Sequence, residues 1–258
     1  MTAIYKKEMR SYFMNPVGFV FLGFFLTFAA ALACYTTLQT STYSTSSYFY
    51  FLILGMIILC PLLTMRTFAE EKKMRTEQML LTAPVSITGM VLGKFLAAFT
   101  MFAGALIASC INFLPLYIVG SAEADLNPDA ITHIGPVTSE IIGSLLGVLL
   151  IGCVYIAIGI FVSSLTENQL SAAIVTIAIL VVMFILNLLN SAGSDADGTR
   201  LIGSYVLRNV IGWVSIVSRF TNFGRGILDW SALLYYLSIT FIFVYLTVRV
   251  YEHRRWAK

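Results

Sequence analysis

An all-α membrane protein with six transmembrane helices is the fold class that this sequence predicts. Hydrophobic residues make up 59% of the 258 and charged residues 11%, which is less than half of the roughly 25% usual in soluble domains. The apolar residues form long runs without a charge, each near the roughly 20 residues that a helix needs to cross a bilayer. Because backbone groups in lipid must be paired within the segment, these runs are expected to be helices.

The chain is expected to form one transmembrane domain over residues 1–258. The third and fourth runs are longer than the hydrocarbon needs, which predicts tilt or extension beyond it. Pro61 and Pro115 lie inside the second and third runs and predict kinks there. The six predicted spans are Val17–Leu38, Tyr48–Thr64, Gly89–Gly120, Glu140–Leu165, Leu170–Leu189 and Trp230–Val248.

An amphipathic helix is predicted before the first span, over residues 1–16. Its apolar half is interrupted by one charge, Glu8, and it ends at Asn15-Pro16. A helix lying on the inner membrane surface fits this pattern. An ordinary basic tail that only sets the topology is the alternative. The apolar half holds Ile4, Tyr5, Met9, Tyr12 and Phe13, and the polar half holds Lys6, Lys7, Arg10 and Ser11.

The distribution of lysine and arginine predicts the orientation of the spans. Basic residues precede the first span, lie between the second and third, and follow the last, whereas the loops after spans one and three contain none. Both termini and the segment 66–86 are therefore predicted to be cytoplasmic, in a multi-pass protein of the plasma (inner) membrane.

One basic region disagrees with this rule, because six spans place it outside. For residues 200–229 we predict an external re-entrant segment that dips into the membrane without crossing it. Two roles are open for its arginines, attraction of an anionic headgroup and pairing with other groups. These arginines are Arg200, Arg208, Arg219 and Arg225.

Neither a catalytic site nor a cofactor or metal site is predicted in this chain. The carboxylates outside the spans are scattered without ligand spacing, and the sequence has two histidines. Gly89–Phe95 departs from a phosphate loop, because three residues separate its glycines and phenylalanine replaces the Ser or Thr that would hold magnesium. No ionisable group lies at a span centre, which argues against an ion-driven carrier. No nucleic-acid partner is expected.

The charged stretch RTFAEEKKMRTEQMLLTAPVS, Arg66–Ser86, predicts a helix from Phe68 to Leu81. It lacks glycine and proline over that range, Glu71 and Arg75 stand in the favourable i, i+4 order, and Pro84 stops it. Its apolar residues are not needed by any span. From the residues alone, a docking element and a solvated loop that only enforces topology are equal alternatives.

The stretch FAEEKKMRTEQMLLTAPVSITGMVLGKFLA resembles the cytoplasmic segment of ABC-2 type permeases, the membrane subunits of ATP-driven exporters. Arg75 stands where that family usually has glycine. The resemblance extends to Ser163–Ala173 and to Arg219–Ser238, and the gliding-motility-associated permease branch looks closest. The matching residues are Ala69-Glu70-Glu71, Thr76, Glu77, Leu80-Leu81, Pro84-Val85-Ser86 and Gly93-Lys94.

This resemblance implies the permease subunit of an ABC exporter. Such a subunit forms the pathway with a second permease, identical or related, and is driven by separate ABC ATPase subunits that bind ATP and magnesium. The segment 66–86 would be the coupling helix, and the substrate an unknown amphipath. The implied ATPase interface consists of Glu70, Glu71, Thr76, Glu77, Leu80 and Leu81, with Glu167, Asn168 and Gln169 as a second contact.

Two other functions remain open from the sequence. One is a structural or regulatory membrane protein that recruits another cytoplasmic partner through the charged segment. The other is an ATP-independent carrier or channel, which the charge-free spans disfavour.

Overall fold

The computed structural model describes residues 1–14, 16–38, 43–76, 86–126, 135–192, 212 and 215–256. Helices and short connections make up this described part, and no strand is present in it. The α-helices are α1 (Thr2–Met14), α2 (Pro16–Ala33), α3 (Ser46–Thr64), α4 (Arg66–Lys73), α5 (Ile87–Ser109), α6 (Leu114–Leu126), α7 (Thr138–Leu165), α8 (Gln169–Ala192), α9 (Phe220–Gly224) and α10 (Trp230–Trp256).

Among the described residues, six helical stretches are long and apolar enough to cross a membrane, which confirms the predicted fold class. The second and third contain two of the helices each, α3 with α4 and α5 with α6. Their bounds lie within a few residues of the predicted ones, except that the second and sixth continue into charged sequence. They are Pro16–Thr37, Ser46–Lys73, Ile87–Glu123, Thr138–Leu165, Gln169–Leu189 and Trp230–Arg255.

The third span is interrupted where a kink was predicted. A turn of 3-10 helix, Cys110–Phe113, separates α5 from α6, and Pro115 is the second residue of α6. Since proline has no N–H to donate and its ring crowds the preceding turn, the α-helical hydrogen bonding breaks just before it. Pro61, in contrast, is accommodated inside α3, which continues to Thr64.

Helix α7 lies at the centre of the bundle. Every residue from Leu150 to Ile160 is buried, and α3, α5, α8, α9 and α10 all pack against it. Small residues make this enclosure possible. A Cβ atom at Gly152 would lie 2.1 Å from the Phe102 ring, and one at Gly159 would lie 2.1 Å from the Thr64 hydroxyl.

The short helix α9 crosses α7 at Gly143 and Gly147, and it is preceded by a 3-10 turn, Val217–Arg219. A Cβ atom at Gly143 would lie 2.6 Å from the Phe223 carbonyl oxygen, so the absence of a side chain there allows α9 to pack closely on α7. Fourteen of the 30 residues of the predicted re-entrant segment, 200–211, 213 and 214, lie outside the described residues. The depth of the remainder in a membrane stays a prediction.

The predicted N-terminal helix is present as α1 and packs along α5 and α2. Ile4, Tyr5, Met9 and Tyr12 are half-buried, as expected of its apolar half, whereas Phe13 is exposed. The tight fit continues at Gly93 of α5, where a Cβ atom would lie 3.3 Å from Ile4. The position of α1 at a membrane surface stays a prediction.

Candidate functional site

Four parts of the chain meet at one end of the bundle, which we call the basic end. They are α1, the charged segment from Arg66, the connection between α7 and α8, and the end of α10. Helix α4 begins at Arg66, directly after α3. The Arg66 guanidinium donates two hydrogen bonds to the Glu70 carboxylate, Nε to Oε2 at 2.8 Å and Nη2 to Oε1 at 2.6 Å. Such bidentate pairs are among the stronger charged hydrogen bonds.

The predicted continuous helix from Phe68 to Leu81 is wrong, because α4 ends at Lys73; residues 77–81 lie outside the described residues. The Arg75 N–H bonds the Lys72 carbonyl at 3.0 Å and the Thr76 N–H bonds the Glu71 carbonyl at 3.0 Å. Together with the positive φ of 57° at Arg75, these bonds form the Schellman motif that commonly ends a helix. Glycine is the usual residue at the left-handed position, which explains why the resembled family has glycine there.

The predicted i, i+4 pair between Glu71 and Arg75 is also not formed, because Glu71 turns towards Lys94 of α5. The Lys94 side chain is 1% exposed. Its Nζ lies 2.9 Å from Glu71 Oε1, 3.0 Å from Glu8 Oε1 and 2.7 Å from the Thr67 carbonyl oxygen. An ammonium group has three donors, so all of them are used. We call Lys94, Glu8 and Glu71 the lysine cluster.

The lysine cluster joins three helices that are distant in sequence. Glu8 belongs to α1, Glu71 to α4 and Lys94 to α5, and Lys7 adds a weaker contact to Glu71 at 3.5 Å. A buried cation is stable only when it is paired and hydrogen-bonded, which this one is. The cluster also accounts for the charge that interrupts the apolar half of α1.

Ser163 of α7 holds the beginning of α4. Its hydroxyl oxygen accepts the Phe68 and Ala69 N–H groups, both at 3.1 Å, and its proton is donated to the Met65 carbonyl at 3.2 Å. The first N–H groups of a helix have no partner within it. Ser163 therefore acts as an N-terminal cap that comes from another helix.

Two further side chains, Phe68 and Lys72, fix the charged segment to the bundle. The Phe68 ring lies 4.7 Å from the Tyr251 ring of α10, and the Lys94 ammonium lies 4.9 Å from the centroid of the same Phe68 ring. The Lys72 ammonium donates to the Ser164 carbonyl and, at 3.3 Å, to the Thr166 carbonyl. Lys72 therefore ties the segment to the connection between α7 and α8.

The structure brings the two predicted contact regions side by side, because the Glu167–Gln169 connection directly follows Thr166. Glu167 and Asn168 are exposed and Gln169 is half-buried. In the charged segment, the Glu70 side chain is 33% exposed and that of Glu71 is 15% exposed. Thr76 is half-buried. Glu77, Leu80 and Leu81 lie outside the described residues.

Sequence reasoning missed most of the residues that anchor the segment. Glu8 carried a signal, since a single acid on an apolar helix face needs a partner, and Lys94 belonged to the Gly-Lys pair. No local pattern marked Ser163 or Tyr251.

Within the described ranges, no three His, Cys, Asp or Glu side chains are grouped as a metal site would need, and the four cysteines are free.

The chain matches a known protein family. Residues 35–248 match the family model described as ABC-2 family transporter protein. That range begins within the first span and ends in the last, and it includes α4, α5, α7 and α9. A comparison with curated proteins found no match.

Proposed function

Since this chain belongs to the ABC-2 family of transporter proteins, we propose that it is an exporter permease that works as a dimer and is driven through its charged segment by separate ATPase subunits. The family match makes it a multi-pass membrane component of an ABC transporter. The proposal adds the coupling site, the dimer, the direction of transport, and a plasma-membrane location with both termini cytoplasmic. The resemblance described above also favours the gliding-motility-associated branch.

The observation that supports coupling is the way the charged segment is fixed. It is tied to α5 and α1 by the lysine cluster, to α7 by Ser163, and to α10 by Phe68. A segment that only set the topology would not need to be anchored to four helices. A push on an anchored segment moves the helices that hold it, which is what an ATP-driven switch of the spans requires.

The surface offered to the ATPase is the part of the segment that faces away from these anchors. Glu70 and the turn at Lys73–Thr76 belong to it, with Lys73, Met74 and Arg75 exposed. We keep Glu77, Leu80 and Leu81 as contact residues on the strength of the resemblance. Glu71 is reassigned from contact to positioning, because its carboxylate is held by Lys94.

The second contact is the connection between α7 and α8. Glu167 and Asn168 are exposed beside the charged segment, and Lys72 links the two regions through Thr166. A single ATPase surface that covers the charged segment would therefore also reach this connection.

Purification of the tagged full chain from native membranes tests the coupling site. We expect a phosphate-loop ATPase to co-purify with the wild type, and the amount to fall at least tenfold with Leu80→Arg and with Asn168→Arg. A buried arginine without a partner costs several kcal/mol at an interface. Mass spectrometry identifies the ATPase, and its band intensity relative to the permease is the measurement.

Ser121→Arg is the matched control, because Ser121 is exposed on α6 at the opposite end of the bundle. It should retain the wild-type amount of ATPase. If Leu80→Arg and Asn168→Arg also retain it, the coupling assignment is wrong. If another cytoplasmic protein co-purifies in place of an ATPase, the structural or regulatory alternative replaces it.

A further inference from the structure

We propose that the end of the bundle opposite to the basic end binds the phosphate-bearing headgroup of a membrane amphipath with a net negative charge, with Arg225 as its main contact and Arg219 as a second positive charge. The site lies on residues 215–229, which we call the arginine segment, and on the beginning of α3. It does not depend on the proposed ATPase coupling.

A cavity of about 440 Å³ lies between α3 and α9, within the size range of small-molecule sites. One part of its lining is polar, with Arg225, Ser46 and Thr221. The Ser46 and Thr221 hydroxyls donate to the Gly224 and Ser218 carbonyls, which leaves Arg225 as the donor for an anion there. Another part is aromatic, with Tyr50, Phe51 and Phe220. A ligand that joins an anionic group to an apolar chain matches both parts, whereas a free inorganic anion would match only the first.

Arg225 is available for such a ligand. It is exposed, and its backbone N–H is used by the Asn222 carbonyl at 3.2 Å. No carboxylate of the described residues lies within 4.0 Å of its guanidinium. The planar guanidinium can bind two phosphate oxygens at once, which makes arginine a preferred phosphate ligand.

Arg219 does not line this cavity but directly precedes Phe220, which does. It is half-buried and also lacks an ion pair within the described ranges. Its guanidinium lies 4.2 Å from the centroid of the Tyr235 ring. Its Nε is buried and has no hydrogen-bond partner there, whereas buried polar groups are nearly always paired. The described residues around Arg219 therefore supply no anion in direct contact that would stabilise its charge.

The neighbouring acid, Asp229, does not neutralise Arg219 by contact. Its two carboxylate oxygens accept hydrogen bonds from the Asn222 amide at 3.1 Å and from the Ser231 N–H at 2.9 Å. These two hydrogen bonds lower the pKa of Asp229 from its ordinary value, and the bond from Asn222 has the larger effect. Asp229 therefore stays ionised as the cap of α10, and the arginine segment keeps a positive charge in excess.

The depth of Arg219 fits a headgroup rather than bulk solvent. Its partner ring, Tyr235, follows the first residue of α10, Trp230, by five residues, and at 1.5 Å per residue this places it about 7.5 Å inside the helix end. Trp and Tyr are enriched where spans meet the headgroup layer. A cation at that depth is costly without a partner, and lipid phosphates are the anions present there.

Native mass spectrometry of the detergent-purified full chain tests the proposal with three probes: phosphatidylglycerol, phosphatidylcholine and inorganic phosphate. We expect the wild type to retain phosphatidylglycerol in preference to phosphatidylcholine. Arg225→Gln should weaken phosphatidylglycerol binding about tenfold, in line with the loss of a charged hydrogen bond, and Arg219→Gln should weaken it by a smaller factor. Arg225→Lys should retain part of the affinity, because it keeps the charge and loses the second donor.

Arg255→Gln is the control, since Arg255 is an exposed arginine at the basic end. It should leave phosphatidylglycerol binding unchanged. Equal losses in Arg255→Gln and Arg225→Gln would overturn the site, because they would show attraction by overall charge. Binding of inorganic phosphate without binding of phosphatidylglycerol would overturn the proposal that the ligand is an amphipath.

A third overturning result concerns Asp195 and Asp197, which lie outside the described residues. If phosphatidylglycerol binds only when both are changed to asparagine, the arginines pair with these acids in the protein itself. Because the experiment contains no ATPase, its outcome is independent of the co-purification test above. Each variant is compared at the same elution volume in gel filtration, so that misfolded protein is not scored as loss of binding.

Discussion

At the scale of single residues, Arg75 is the one non-glycine residue of the described ranges with a positive φ, 57°. The left-handed conformation costs an ordinary residue about 1–2 kcal/mol. Glycine pays almost none of it. Arg75 adopts this conformation at the turn that ends α4. Its cost must therefore be offset by the hydrogen bonds of the Schellman motif or by a functional contact of the exposed arginine side chain.

We therefore predict that Arg75→Gly raises the free energy of unfolding by about 1 kcal/mol. Arg75→Ala should bring no such gain, because alanine meets the same steric conflict in a left-handed turn. Thermal unfolding in detergent measures the difference as a higher apparent melting temperature. A less stable Arg75→Gly variant would mean that the arginine side chain contributes more than its backbone costs.

The residue scale also shows where prediction from sequence reached its limit. The beginning of the helix was predicted two residues late, at Phe68 instead of Arg66, so its place directly after the second span was predictable. Its end was missed, because Arg75 has a good helix propensity and only hydrogen bonds within the folded turn reveal the left-handed position. The same limit applies to Ser163, whose role depends on the approach of α7 to α4.

At the scale of elements, the lysine cluster is what joins α1, α4 and α5. Its members are 63 and 23 positions apart in sequence, from Glu8 to Glu71 and from Glu71 to Lys94. The spans themselves were predictable because apolar length is a local property. The lysine cluster was not predictable, because no local pattern shows which charged residue of one helix will contact which charged residue of another.

We predict that Lys94→Met destabilises the protein by about 3–5 kcal/mol, because it leaves two carboxylates close together in a buried place without their cation. Adding Glu8→Gln and Glu71→Gln to this variant should recover part of the loss, since the uncompensated charges are then removed. Unfolding in detergent, monitored by helical circular dichroism, measures the series.

Lys7→Met is the matched control, because the Lys7 side chain is 60% exposed and lies 3.5 Å from Glu71. Exposed ion pairs of this kind contribute about 0–1 kcal/mol. If Lys94→Met is no more harmful than Lys7→Met, the cluster is not a structural joint between the three helices.

At the scale of the whole molecule, α7 organises the bundle through its glycines. A Cβ atom at Gly143 would lie 2.6 Å from the Phe223 carbonyl oxygen and 2.9 Å from the Gly226 Cα, both of them backbone atoms. Backbone cannot move aside as the end of a flexible side chain can. The position of α9, and with it that of the arginine segment, depends on the absence of a side chain at this residue.

We predict that Gly143→Ala destabilises the protein by about 1–3 kcal/mol, the usual cost of overpacking. Gly104→Ala is the control, because no atom lies within 4 Å of a Cβ there; the better helix propensity of alanine should make it neutral or more stable by up to about 1 kcal/mol. Resistance to thermal unfolding in detergent distinguishes the two. Equal effects at both glycines would contradict the packing of α9 on α7.

Helix α7 touches both of the regions to which we assign function. Ser163 bonds the charged segment near one end of this helix, and Gly147 lies beneath α9 near the other. The 16 residue steps from Gly147 to Ser163 correspond to about 24 Å of continuous α-helix. Under the proposed coupling, we therefore expect a displacement imposed at Ser163 to be carried along α7 to the arginine segment, because one uninterrupted helix contacts both regions.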